Sequence, residues 1–179
     1  MRKTNAVISH LIILLFIVHG VMGAFNLMGV GSVTTRVIAW SMVGLICVHT
    51  VLGTALTVQT LQAQKKAGVS YFKDNLLFWA RRFSGFLIMV LIFFHIFAFS
   101  GVSADHYRLP NFDVFKLITQ ILLVVSIAFH IITNTKPLLI ACGIKKLKPK
   151  VNDIVFWISV LLLFMATAFI IYYVRWAAI

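Results

Sequence analysis

Glutamate is absent from all 179 residues, and aspartate occurs only at Asp74, Asp105, Asp113 and Asp153. Charged residues make up 11% of the chain, against 61% hydrophobic, far from the composition of a water-soluble domain. Each of the five long apolar runs lacks an internal carboxylate, which removes the usual acidic relay of a proton-driven transporter. The two cysteines, Cys47 and Cys142, form no CxxC and no metal-ligand spacing, and they read as small buried hydrophobes. No low-complexity tract and no inverted repeat interrupts the chain, and no stretch is left over for a soluble catalytic domain.

What remains is apolar and basic. Apolar stretches run over about 5–29, 35–61, 77–101, 113–135 and 153–175. Each reaches the ~20 residues that a helix needs to cross a bilayer. The expected fold is all-α: one transmembrane domain, 1–179, of five spanning helices. Sixteen Lys and Arg give a net charge of +12. In a soluble protein that excess would point to nucleic acid. Here the cations sit in short connections, so they report topology, and no nucleic-acid partner is expected.

Arg2, Lys3, Lys65, Lys66, Lys73, Arg81, Arg82, Lys136, Lys145, Lys146, Lys148 and Lys150 flank one side. Arg36, Arg108, Lys116 and Arg175 flank the other. The imbalance puts the N-terminus in the cytoplasm and the C-terminus outside, in a multi-pass protein of the inner (cytoplasmic) membrane. Tyr172, Tyr173 and Trp176 suit the outer interface. Met1-Arg2-Lys3 ahead of an apolar run resembles a signal peptide. The run continues to residue 29 and carries a histidine, so it reads as a retained first span.

The histidines carry the chemistry. His106 lies in the outer connection, whereas His10, His19, His49, His95 and His130 lie within apolar spans. An ionisable group at such depth is costly and marks a functional hypothesis. A lone one reads as a packing histidine; one on each of four successive helices is harder to explain that way. At 1.5 Å per residue from the cytoplasmic end, His19 and His95 lie about 20 and 22 Å deep. His49 and His130 come out at about 16 and 9 Å. The four sort into an outer pair, His19 and His95, and an inner pair, His49 and His130. Helices one and three are diagonal in an up-down bundle, as are two and four, so each pair faces across the core. That pattern suits two axial imidazoles on each of two haem irons, whereas direct metal binding needs more ligands around one ion.

Gly20, Gly23 and Gly53 next to these histidines would allow a macrocycle, or a neighbouring helix, to approach closely. His10 is half a turn out of phase with His19 and reads as a packing or interface residue. Arg81 and Ser84 share a face with His95 at the cytoplasmic entry. Arg81, Arg82, Ser84 and Lys136 are therefore candidate contacts for haem propionates or quinone. Positive-inside anchoring is the competing reading for the cations.

At this point the sequence resembles a known family. Arg82-Phe-Ser84-Gly85-Phe with His95 ten residues after Gly85, Phe-Ile-Val-His19, Cys-Val-His49, and Phe129-His130 followed by Lys136 resemble the two-haem cytochrome b anchors of fumarate reductase and succinate dehydrogenase. The resemblance covers helices one to four and implies two haem b groups, His19 with His95 and His49 with His130. It also implies electron exchange between a membrane quinone, expected as menaquinone, and cytoplasmic partners. Those partners are an iron–sulfur subunit and an FAD flavoprotein. The chain would be the quinone-reactive subunit of an oxidoreductase, without a dicarboxylate site, surrounded by lipid and in an assembly that can pair into a dimer of complexes.

The chain departs from some members of that family. Ala128 stands where they carry a Glu two positions before the fourth ligand, and the link from Met28 to Thr35 is short. Quinone could sit near Asp105, His106, Tyr107 and Arg108, or near Trp79, Arg81, Arg82 and Ser84. Two alternatives stand beside this reading. One is the haem b anchor of a nitrate reductase, formate dehydrogenase or hydrogenase complex. The other is a cofactor-free membrane transporter.

Overall fold

The computed structural model describes residues 1–31, 35–68, 75–100, 109, 111–144 and 147–177; for 147–149 and 176–177 only the backbone is described. Five long helices account for nearly all of it: α1 Arg2–Leu27, α2 Arg36–Ala67, α3 Leu76–Phe99, α4 Val114–Ala141 and α5 Leu147–Tyr172. A π-helical turn, Tyr173–Ala177, closes α5. All five are long and apolar enough to cross a membrane, as their sequences predict. A spanning segment must satisfy its backbone internally, and an unbroken helix does so.

Two helices extend beyond their apolar runs. α2 continues past Leu61 through Gln62, Gln64, Lys65 and Lys66 to a left-handed cap at Gly68 (φ 67°). Its 32 residues span about 48 Å, more than the ~30 Å hydrocarbon core. Polar good helix formers carry it on into the headgroup region. α4 continues past residue 135 through Pro137 to Ala141. Caps sharpen two starts: Asn75 accepts from the Phe78 amide, and Asp113 accepts from the Lys116 amide at 2.8 Å.

Close helix–helix packing joins α3 to α4, α4 to α5, α5 to α1, α1 to α2 and, over a shorter stretch, α1 to α4. α1, α2, α3 and α4 thus surround a common interior, with α5 packed outside against α1 and α4. The tight core lies on the α1–α4–α5 side, around Ala24, Leu27, Val124, Leu162, Met165, Ala168 and Phe169. Tyr172 is buried there and its hydroxyl accepts the Leu109 amide at 2.6 Å. Arg175 donates to the Met28 carbonyl at 3.2 Å, tying the end of α5 to the end of α1. α2, by contrast, buries no residue fully. Many large apolar side chains are exposed, among them Leu14, Trp40, Phe86, Phe93 and Trp157. In water this would be a liability; in lipid it is the expected outer surface.

Candidate functional site

The interior among α1 to α4 holds the four histidines in two layers. His19 on α1 faces His95 on α3, with ring centroids 6.1 Å apart and planes at 76°. His49 on α2 faces His130 on α4, at 6.5 Å and 86°. These are the two pairings that depth and topology predict. Neither α1 with α3 nor α2 with α4 is among the closely packed helix pairs, so the histidines meet across the interior.

The layers are spaced regularly. Three helices reach both of them through residues ten or eleven apart: Ser9 and His19 on α1, Ser84 and His95 on α3, Gln120 and His130 on α4. That corresponds to about 15–17 Å along each axis.

Hydrogen bonds orient the rings. His130 Nδ1 lies 3.0 Å from Ser84 Oγ, and Ser84 donates its only proton to the Arg81 carbonyl at 3.1 Å. With that proton on the carbonyl, Ser84 Oγ accepts from the ring, Nδ1 of His130 carries the hydrogen and Nε2 the lone pair. His49 repeats the device. Its Nδ1 is 3.3 Å from Ser9 Oγ, while Ser9 donates to the Asn5 carbonyl at 2.8 Å. His95 Nδ1 is 2.7 Å from Oε1 of Gln120, whose side chain is fully buried. His19 Nδ1 is buried without a hydrogen-bond partner among the described residues.

Gly85 belongs to the inner layer. A Cβ there would stand 3.3 Å from His130 Cε1, so glycine is what lets the ring lie against α3. Gly23 and Gly53, each one turn after a histidine, are half-buried, yet a Cβ on either would meet nothing within 4 Å. Open space adjoins both pairs.

These features can be tested against a haem. Imidazole nitrogen binds a first-row metal at about 2.0–2.1 Å, and a ring atom lies about 1.1 Å from its ring centre. Two coaxial imidazoles on one iron therefore have centroids about 6.3 Å apart, between the two observed values. Edge-to-face packing of rings covers the same range, so distance alone does not choose. The hydrogen bonds are compatible with ligation: with Nδ1–H given to Ser9 and Ser84, His49 and His130 would present Nε2 lone pairs, as a metal-bound histidine does. Among the described residues no cluster of three or more His, Cys, Asp or Glu could hold a bare ion. A haem supplies four nitrogens of its own and asks the protein for only two. The residues fit the group.

The remaining candidates are placed as follows. Arg81 Nε donates to the Thr133 carbonyl of α4 at 2.9 Å. That carbonyl would have accepted the N–H of residue 137, which proline lacks. Ser84 Oγ faces the His130 ring. The Arg82 guanidinium lies 4.9 Å over the Phe78 ring, and its Nε is buried with no hydrogen-bond partner among the described residues. It is close enough to His49 and His130 to act on both electrostatically. The Lys136 side chain is exposed at the end of α4. His10, on an exposed face of α1, turns Nδ1 to the Ala6 carbonyl at 2.7 Å and Nε2 toward Cys142 Sγ at 3.7 Å, apart from both layers. Both cysteines are exposed on the bundle surface, not buried as their composition suggests, because α2 and the end of α4 present them outward. Asp105, His106, Tyr107 and Arg108 lie outside the described residues.

Sequence reasoning missed Ser9 and Gln120. Gln120 had a signal, since an amide in an apolar span needs a partner. Ser9 had none, because serine in a helix commonly bonds its own i−4 carbonyl. No family model, curated protein or solved structure matches this chain.

Proposed function

We propose that this chain is a di-haem cytochrome b, the membrane anchor through which a succinate dehydrogenase or fumarate reductase exchanges electrons with quinone. The observation that carries the reading is the pair of facing histidines in each layer, 6.1 and 6.5 Å apart with crossed planes. In each layer at least one Nδ1 lies within hydrogen-bond distance of a neighbouring oxygen.

When bound, haem iron supplies a one-electron couple on each layer. The protein's part is to hold and orient. His19 and His95 grip one group, His49 and His130 the other, and Ser9, Ser84 and Gln120 keep ring tautomers fixed. Arg82, whose buried Nε has no hydrogen-bond partner among the described residues, offers a cation for a propionate near the inner pair. Layers about 15 Å apart along the helices make a path from one face of the bilayer to the other. The basic end of the bundle, with Arg2, Lys3, Lys65, Lys66, Lys136 and Lys150, is the cytoplasmic docking face for an iron–sulfur and FAD-protein pair. The protein would lie in the inner membrane with menaquinone as its lipid-soluble substrate.

A dithionite-reduced minus oxidised spectrum of the detergent-purified chain, with haem counted per polypeptide, tests the reading. Two b-type haems per chain support it. Their absence would discard the electron-transfer role and return the four histidines to packing or transport.

A further inference from the structure

The outer layer is asymmetric. His19 Nδ1 has no hydrogen-bond partner among the described residues, whereas His95 Nδ1 makes the shortest side-chain contact of the four histidines, at 2.7 Å to Gln120 Oε1. Gln120 is fully buried within an apolar helix, where an amide persists only if both ends are bonded. Its nitrogen lies 3.3 Å from Thr119 Oγ1. Thr119 donates its one hydroxyl proton to the Lys116 carbonyl at 2.8 Å, a backbone acceptor that cannot donate.

With the Thr119 proton on that carbonyl, the remaining directions follow. Thr119 Oγ1 has no proton left for Gln120, so it accepts, and the NH2 of Gln120 must face it. The amide oxygen must then face His95. An amide oxygen only accepts, so Nδ1 of His95 carries the hydrogen. Reversing the amide would turn the Thr119 hydroxyl toward Gln120 Oε1 and give up its 2.8 Å bond to the Lys116 carbonyl, and it would place an N–H donor against Nδ1 of His95, which suits only a ring with its lone pair there.

We propose that Thr119 and Gln120 form a proton-orienting relay, anchored on the Lys116 carbonyl, that locks His95 with its lone pair on Nε2 and tunes the electron donation of that ring. They are positioning residues, and the proposal rests on the haem reading above. An Nδ1–H donated to a carbonyl makes the imidazole a stronger base and favours the oxidised metal. A stronger acceptor pushes further the same way, and removing the acceptor pushes back.

The experiment is a redox titration of the full-length haem-loaded chain, following the two centres by their visible absorbance. Gln120→Met keeps the volume and removes the acceptor; it is expected to shift one centre to higher potential and leave the other in place. Gln120→Glu offers a carboxylate and is expected to shift the same centre to lower potential. Thr119→Val removes the anchor and lets the amide turn; it is expected to shift that centre in the Gln120→Met direction, by less. The centre that moves is the one that His95→Ala deletes. Shifts of the same sign in Gln120→Met and Gln120→Glu, equal shifts in both centres, or none, would overturn the relay. Should Gln120→Met fail to fold, Thr119→Val carries the same test. A native chain without haem removes the reading beneath the relay; a two-haem native chain with unmoved potentials removes the relay alone.

Discussion

Arg81 on α3 donates its Nε–H to the Thr133 carbonyl on α4 at 2.9 Å, supplying the hydrogen bond that Pro137 withholds. Proline inside a membrane helix is tolerated when a neighbour satisfies the freed carbonyl. Here that neighbour is an arginine three residues before Ser84, so the clamp steadies the same stretch of α3 that holds His130.

The clamp predicts a coupled pair of substitutions. Arg81→Met leaves the Thr133 carbonyl without a partner and is expected to lower stability by about 1–3 kcal/mol. Pro137→Ala restores the helix's own N–H. In the double variant the Arg81→Met loss should therefore shrink. Thermal unfolding in detergent of the two single variants and the double variant measures the coupling, and strict additivity would show that the carbonyl is not their shared partner.

Each ligand should control one layer. His19→Ala or His95→Ala is expected to remove one haem, and His49→Ala or His130→Ala the other, leaving about one haem per chain in each case. Haem content and the reduced spectrum read this directly. A variant from one pair that empties both layers would mean that the layers do not bind independently.

Glycine substitutions should separate by position. A Cβ at Gly20 would overlap the Met165 thioether end, which is flexible and can swing aside. Gly20→Ala is therefore expected to keep both haems and cost less than about 1.5 kcal/mol. A Cβ at Gly85 stands 3.3 Å from the His130 ring, which Ser84 holds in place. Gly85→Val is expected to lose the inner haem selectively. Equal haem loss in the two variants would argue against a seated His130 ring.

Ring orientation makes a spectroscopic prediction. The imidazole planes cross at 76° and 86°. Crossed axial rings donate to different iron orbitals of the π set and leave them nearly equal in energy. Both oxidised centres are thus expected to give highly anisotropic low-spin signals in low-temperature electron paramagnetic resonance. Rhombic signals of the kind given by parallel rings would show that the rings turn on binding.

The amino-acid sequence by itself determines five spans and the pairing of four histidines within them. Apolar runs with few charges have one stable form in a bilayer, and a fixed rise per residue turns sequence position into depth. Depth and the up-down order of helices pair His19 with His95 and His49 with His130 before any coordinates are considered. Helix ends were less legible: α2 ran on to Ala67 and α4 through Pro137, because a helix stops where its backbone finds a cap and not where hydrophobicity falls. The exposure of Cys47 and Cys142 was not legible either, since which face of a helix meets lipid depends on what packs against it.

Only the tertiary structure could assign the supporting partners. At the basic end of α3, Ser84 and Arg81 read as candidate contacts for haem propionates or quinone. The packed helices show in addition that Ser84 meets a ring nitrogen from α4, and that Arg81 caps a carbonyl that a proline four residues further along α4 had freed. Ser9 and Gln120 are ordinary residues in sequence, and they acquire roles because helix crossings bring them within 3.3 and 2.7 Å of His49 and His95. Periodicity and depth are properties of one helix. Proton direction in a hydrogen-bond chain is a property of two or three helices together, and it exists only once they are packed.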